Sequence, residues 1–136
     1  MEECIFCKII AGDLPSFKLY EDEATMAFMD INPANEGHSL VVPKEHAEDL
    51  QGVSEQALSA AVVTAKKVAG AIMRTLNPAG LNLVQANGPA AAQSVFHFHV
   101  HVMPRYEGDD LKLNWGMRPG DKDAIGALTQ RIRANL

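Results

Sequence analysis

In the stretch SVFHFHVHVMP, residues 94–104, three of the chain's five histidines fall at every second position: His97, His99 and His101. On an extended strand that spacing puts the three imidazoles on one face, with Phe96, Phe98, Val100 and Val102 on the other, packed under a helix. Same-face neighbours lie about 6.6 Å apart and the outer pair about 13 Å apart, so the row suits two adjacent sites better than one ion. Three readings compete: a solvent face that happens to be histidine, ligands for a metal, and a nucleophile for phosphorus. The third has a clear chemical basis. Neutral imidazole is nucleophilic yet uncharged near neutral pH, so it can approach an anionic phosphodiester and split one displacement into two steps. Asn87-Gly88 and Gln93-Ser94 flank the row with amide, hydroxyl and backbone N–H donors.

A second cluster sits at the start of the chain, Cys4-x-x-Cys7. It reads as a pair of buried hydrophobes, a redox pair, or half of a metal site. A redox CxxC stands at a strand-to-helix junction, and no strand is expected ahead of residue 4, which weakens that reading.

These residues need elements to hold them. FKLYEDEATMAFMDI reads as a hairpin with strands at 17–20 and 24–31, ended by Asn32-Pro33; a strand over 37–43 follows, bounded by Gly37 and Pro43. A helical turn is expected at 46–50. From Ser54, an N-cap, to Thr75, the residues Leu58, Ala61, Val62, Ala65, Val68, Ala69, Ile72 and Met73 recur at three- and four-residue steps, the strongest helix signal in the chain. Pro78 and Gly80 turn the chain into a strand at 81–87, then a loop at 88–93 leads to the histidine strand. Residues 105–122 read as irregular, and a short amphipathic helix is expected over 123–135, with Ile125, Leu128 and Ile132 on one side. The order predicts an α+β fold: an antiparallel sheet, one long helix and a short C-terminal helix.

At 136 residues the chain is expected to form a single domain, 1–136, with a core over about 4–106 and a tail over 107–136. A net charge of -5, from 12 basic and 17 acidic residues, argues against nucleic acid as the main partner. Nowhere does the sequence offer the roughly 18 consecutive apolar residues of a membrane span, and the acidic N-terminal residues do not read as a signal peptide. A cytoplasmic protein with reduced cysteines is the expectation.

HFHVHVM follows the pattern His-φ-His-φ-His-φ-φ, where φ is apolar, and the sequence resembles the histidine triad (HIT) family of nucleotide hydrolases and transferases. The resemblance runs through CIFCKIIAGDLPS, AFMDINPANEGHSLVVPKEH and NGPAAAQSVFHFHVHVMPRY, and is nearest to small bacterial members of the Hint branch. It implies a homodimer whose sheets join across the two protomers, and a hydrolase releasing a nucleoside monophosphate, AMP in particular, from phosphoramidate-type substrates. It further implies His99 as the nucleophile, His101 on the phosphate oxygens, and His38 in the supporting hydrogen-bond network. Ser94 and Gln93 match the positions on phosphate and leaving group, and Asn87 the asparagine of the neighbouring loop. Asp30 matches the acid on the ribose hydroxyls, with Phe6, Phe28 and Ile31 around a purine base; without the resemblance, Asp30 reads as an Asx turn before Asn32-Pro33. Zinc-bearing bacterial members resemble this chain in a closed Cys₂His₂ set, here Cys4, Cys7, His46 and His97, which makes structural Zn²⁺ the expected metal, with none needed for catalysis. Ala92 stands where the family usually has glycine, which leaves the leaving-group preference open. A dinucleoside polyphosphate hydrolase and a nucleotide-binding regulatory protein are the alternatives.

Overall fold

The computed structural model describes residues 3–113 and 115–136. Its elements, in chain order, are α1 (Ile5–Ala11), β1 (Lys18–Glu21), β2 (Thr25–Met29), β3 (Ser39–Pro43), α2 (Glu55–Leu76), β4 (Gly80–Val84), β5 (Val100–Arg105) and α3 (Lys122–Arg133). The strands form one antiparallel sheet in the order β1-β2-β3-β5-β4, as expected of an α+β chain.

Each face of the sheet has its own core. Ala27, Val41, Val100 and Val102 alternate onto the face covered by α2, where they meet Ala61, Ala65, Val68 and Ile72. Met26, Phe28, Leu40 and Val42 point the other way and pack with Phe6 of α1. Leu40 pairs directly with His101 in the ladder, so His101 shares the α1 face. Several of the candidate site residues, among them Asp30, His99 and His101, gather on that second face.

α2 starts where its cap demands: the Ser54 hydroxyl accepts the Ala57 N–H at 3.1 Å, and Asn77 ends the helix in the left-handed region. Of its expected apolar stripe, Val62 and Met73 lie 46% and 40% exposed, and Ala57 and Thr64 are buried instead. Thr64 is accommodated because its hydroxyl pairs with that of Thr25 at 2.7 Å.

Four expectations need correction. The histidine strand is shorter than expected, since ladder pairing covers only Val100–Arg105 and residues 94–99 form a bent approach to it. In that approach the Phe98 N–H donates to the carbonyl of Ala47 at 2.7 Å. Phe98 is therefore drawn into the α2 core at 1% exposure, while Phe96 is 45% exposed and does not pack under the helix. Residues 46–50 are not a helical turn. Asp49 organises them, its side chain accepting the N–H groups of Gln51 and Gly52. α1 was not expected at all: Cys4 caps it by accepting the Cys7 N–H on sulfur, and Gly12 closes it at φ 84°. At the other end α3 forms, but none of its residues is buried, and Ile125, Leu128 and Ile132 stay about half exposed.

Candidate active site

The α1 face of the sheet opens into a cavity of about 380 Å³. Ile5, Phe6, Ile9, Phe28 and Leu40 supply apolar walls, and Asp30, Ser94, His99 and His101 bring polar groups to it. Phe6 stands edge-on to both Phe28 and His99, with ring centroids 5.5 and 5.1 Å away. Ile31 lies at the rim, 74% exposed.

The hydrogen bonds assign the protons on the imidazoles. His99 Nδ1 lies 2.7 Å from the carbonyl of His97, so Nδ1 carries the hydrogen and Nε2 keeps a free lone pair. His38 Nδ1 accepts the Ala34 N–H at 3.0 Å, which leaves the hydrogen of neutral His38 on Nε2. That hydrogen is donated to His101 Nδ1 at 2.9 Å, and His101 therefore presents an Nε2–H donor. Of the pair on the cavity, one ring offers a free lone pair and its neighbour an N–H donor. Asp30, His38 and His101 are also close enough to hold a cation, but His38 has no free lone pair for one, and the trio is better described as a relay.

Burial keeps these rings neutral. It pushes His99 and His38 below the ordinary histidine pKa, against a partial upward pull from the His97 carbonyl on His99 and from Asp30 on His38. His101 falls furthest, to about 4, through burial first and then the neighbouring His99 and His38. The unfolded chain takes up a proton at His101 as pH drops through 6.5, whereas the folded one waits until about 4. Stability must therefore fall as pH is lowered across that window. Urea midpoints at pH 7 and pH 4.5 are expected to show this loss, and His101→Asn to reduce it.

The remaining sequence candidates sit beside the cavity. Asp30 makes the Asx turn that its sequence context suggests, its Oδ1 accepting the Asn32 N–H at 2.8 Å, while Oδ2 lies 3.5 Å from His38 Nε2. Ser94 is exposed at the cavity mouth. Gln93 is buried and does not line the cavity; its amide accepts the Gly88 N–H and donates to the carbonyls of Glu48 and Val95. Asn87 is likewise spent on its surroundings, accepting the Leu50 N–H and pairing with Gln85. Both amides lock the loop that carries Ser94. Ala92 in that loop has φ 67°, a conformation that costs a non-glycine residue about 1–2 kcal/mol.

His97 turns away from the cavity. Its Nε2 hydrogen is donated to the carbonyl of Pro43 at 2.8 Å, which frees Nδ1 to face Cys4 Sγ at 3.4 Å, Cys7 Sγ at 3.6 Å and His46 Nδ1 at 3.2 Å. Cys7 Sγ and His46 Nδ1 are 3.4 Å apart, and one ligand atom from each of the four residues lies within 4.8 Å of the others. Tetrahedral zinc with bonds of about 2.3 Å to sulfur and 2.05 Å to nitrogen has S–N edges of about 3.6 Å and an N–N edge of about 3.3 Å. The donor set and its spacing fit such an ion. Burial, then the adjacent Cys4, push the Cys7 thiol upward, so a thiolate here needs a cation to offset it. The signal for this cluster in the sequence was the pair of cysteines; nothing local pointed to His46.

The family model described as the HIT domain matches residues 11–108. Adenosine 5'-monophosphoramidase HNT1 of Saccharomyces cerevisiae is 40% identical over 134 residues, covering 98% of this chain and 82% of that one. The crystal structure of SMU.412c from Streptococcus mutans superposes with a TM-score of 0.95 at 38% identity, over 99% of this chain and 86% of the other. A zinc-bound histidine triad family protein from Mycobacterium smegmatis gives a TM-score of 0.77 at 36% identity, over 98% of each chain. With the triad strand, the relay and these likenesses together, the chain belongs to the HIT domain family.

Proposed function

We propose that this protein is a hydrolase that releases a nucleoside 5'-monophosphate, AMP foremost, from phosphoramidate substrates through a nucleotidyl-histidine intermediate. The observation that carries the reading is the bond from His99 Nδ1 to the His97 carbonyl, which leaves Nε2 unprotonated on a residue of the cavity wall. His99 Nε2 attacks the α-phosphorus as the P–N bond to the leaving amine breaks, and the amine takes up a proton at the open, Ser94 side. Water then attacks phosphorus, the P–N bond to His99 breaks, and the monophosphate leaves. His101 donates its Nε2–H to the phosphate oxygens throughout, held in that tautomer by His38. Asp30 takes the ribose hydroxyls, while Phe6, Phe28 and Ile31 enclose the base. Gln93 and Asn87 act by fixing the Ser94 loop.

Zinc is the metal we assign to Cys4, Cys7, His46 and His97; when bound, it supplies a structural cross-link and leaves no position open to substrate. Cysteines kept reduced for it suit the cytoplasm. For assembly, the edge strand β4 with its half-exposed Leu83, and Val62 and Met73 on α2, supply the surface for a homodimer. The adenosine 5'-monophosphoramidase activity of the yeast relative and the zinc of the mycobacterial one support the reading by likeness.

Side-by-side turnover of an adenosine phosphoramidate and a diadenosine polyphosphate tests it. The phosphoramidate is expected to be the faster substrate by about tenfold or more, a difference of about 1.4 kcal/mol in the barrier. Preference for the dinucleotide would reassign the enzyme to polyphosphate hydrolysis, and binding of AMP without turnover of either would leave a nucleotide-binding regulator.

A further inference from the structure

The cysteine–histidine cluster and the nucleotide cavity share two structural parts. The first is α1. Cys4 and Cys7, three residues apart, present their sulfurs to the cluster, while Ile5, Phe6 and Ile9 of the same short segment line the cavity. Among the described residues no backbone hydrogen bond ties α1 to the sheet; its backbone bonds are internal or run to residues 13 and 14. Side chains alone hold it: Phe6 packs into the apolar cluster on the sheet, and Cys4 and Cys7 on either side of it face the cysteine–histidine cluster. Phe6 bridges the sites directly, with its ring centroid 5.9 Å from that of His97 and 5.1 Å from that of His99.

The second shared part is His97 itself. Its ring is pinned at Nε2 by the Pro43 carbonyl and offers Nδ1 to the cluster, while its own carbonyl receives the His99 Nδ1–H. One residue thus holds the cluster with its side chain and orients the nucleophile with its backbone, and His97 is in this sense a positioning residue.

We propose that metal occupancy of the Cys4, Cys7, His46 and His97 cluster sets the affinity of the adjoining cavity for nucleotide, by locking α1 and hence Phe6 against His99. The inference rests on the nucleotide reading of the cavity and adds a control to it. Without the ion, four converging donors no longer attract one another through a common cation, and α1 keeps only its apolar packing and its own cap. The apolar wall loosens, and the base must pay to order it. Because the coupling is between two binding equilibria, it must be reciprocal: nucleotide must tighten the metal by the factor by which metal tightens nucleotide.

The test is a pair of titrations on the full chain. AMP affinity is measured by calorimetry with zinc bound and after chelation, at a temperature where circular dichroism shows both forms folded. Zinc affinity is measured by competition with a chromogenic chelator, with and without saturating AMP. Removal of zinc is expected to weaken AMP about tenfold, within the usual range of such couplings, and AMP to strengthen zinc by the same factor. Equal AMP affinity in the two folded forms, or zinc affinity indifferent to AMP, overturns the proposal. Failure of the zinc-loaded protein to bind AMP at all sinks the nucleotide reading instead. Should the stripped chain lose its fold, Cys4→Ser decides, because serine keeps the N-cap of α1 while removing one ligand. That variant is expected to bind AMP more weakly and to recover as free zinc is raised; wild-type affinity that does not depend on zinc overturns the proposal.

Discussion

His99→Ala is expected to lower turnover of an adenosine phosphoramidate by about 10⁴-fold or more while changing AMP affinity by less than about tenfold. The asymmetry follows from the chemistry. On the proposed mechanism Nε2 of His99 supplies the covalent bond in the first step, an interaction made only along the reaction path, whereas Phe6, Phe28 and Asp30 of the cavity wall would hold base and ribose in ground and transition states alike. The variant also leaves the buried His97 carbonyl without its donor, a cost to stability of about 1–3 kcal/mol, so the assay belongs well below the unfolding temperature. In the wild type, quenching without acid during a single turnover is expected to trap a nucleotide on His99. Turnover of His99→Ala near the wild-type rate, or no label on His99, would point to direct attack by water.

Purified protein grown with zinc is expected to carry one zinc per chain, and chelation to lower the melting temperature by about 12–16 °C. The magnitude follows from linkage: an ion present at about 1,000 times its dissociation constant stabilises the folded state by about 4 kcal/mol, and each kcal/mol shifts the midpoint of a domain this size by about 3–4 °C. His97→Ala and Cys4→Ser should lose metal and stability together, because each removes one of four ligands. His99→Ala should keep its metal, since its ring belongs to the cavity and contributes no ligand atom to the cluster. Elemental analysis and differential scanning calorimetry read both quantities. Absence of zinc from untagged wild type, or metal retained by His97→Ala, would return His97 to the active site or to a purely packing role.

Much of this was legible in the order of the residues, and for definite reasons. The span of α2 follows from apolar residues at three- and four-residue steps and from a serine with free backbone donors above it, both local properties. The alternation in HFHVHV suggested two adjacent sites on the premise of an extended strand; the strand in fact begins only at Val100, and the direction in which His97 faces comes from the bend before it. Asp30 was ambiguous between an Asx turn and a ligand contact, and the structure gives it the turn on one oxygen while leaving the other facing His38.

By itself the sequence determined which chemistries were available: imidazoles for phosphorus, thiols for a metal, an antiparallel sheet with one long helix to carry them. Only the tertiary structure decided how each group is used. The chain leaves the ladder before Val100 because the Phe98 N–H finds the carbonyl of Ala47, 51 positions earlier, and that bend lets His97 face the cysteines while His99 faces the cavity. The carbonyls of Pro43 and His97 and the N–H of Ala34 then choose which ring nitrogen of each histidine keeps its lone pair. Periodicity is a property of neighbours and can be read along a chain. The tautomer of a buried histidine is set by whichever donor or acceptor packing brings to its ring: the Pro43 carbonyl reaches His97 from 54 positions away, beyond any local signal, whereas the partners of His99 and His38 lie two and four residues off and meet their rings only because the chain bends or turns there.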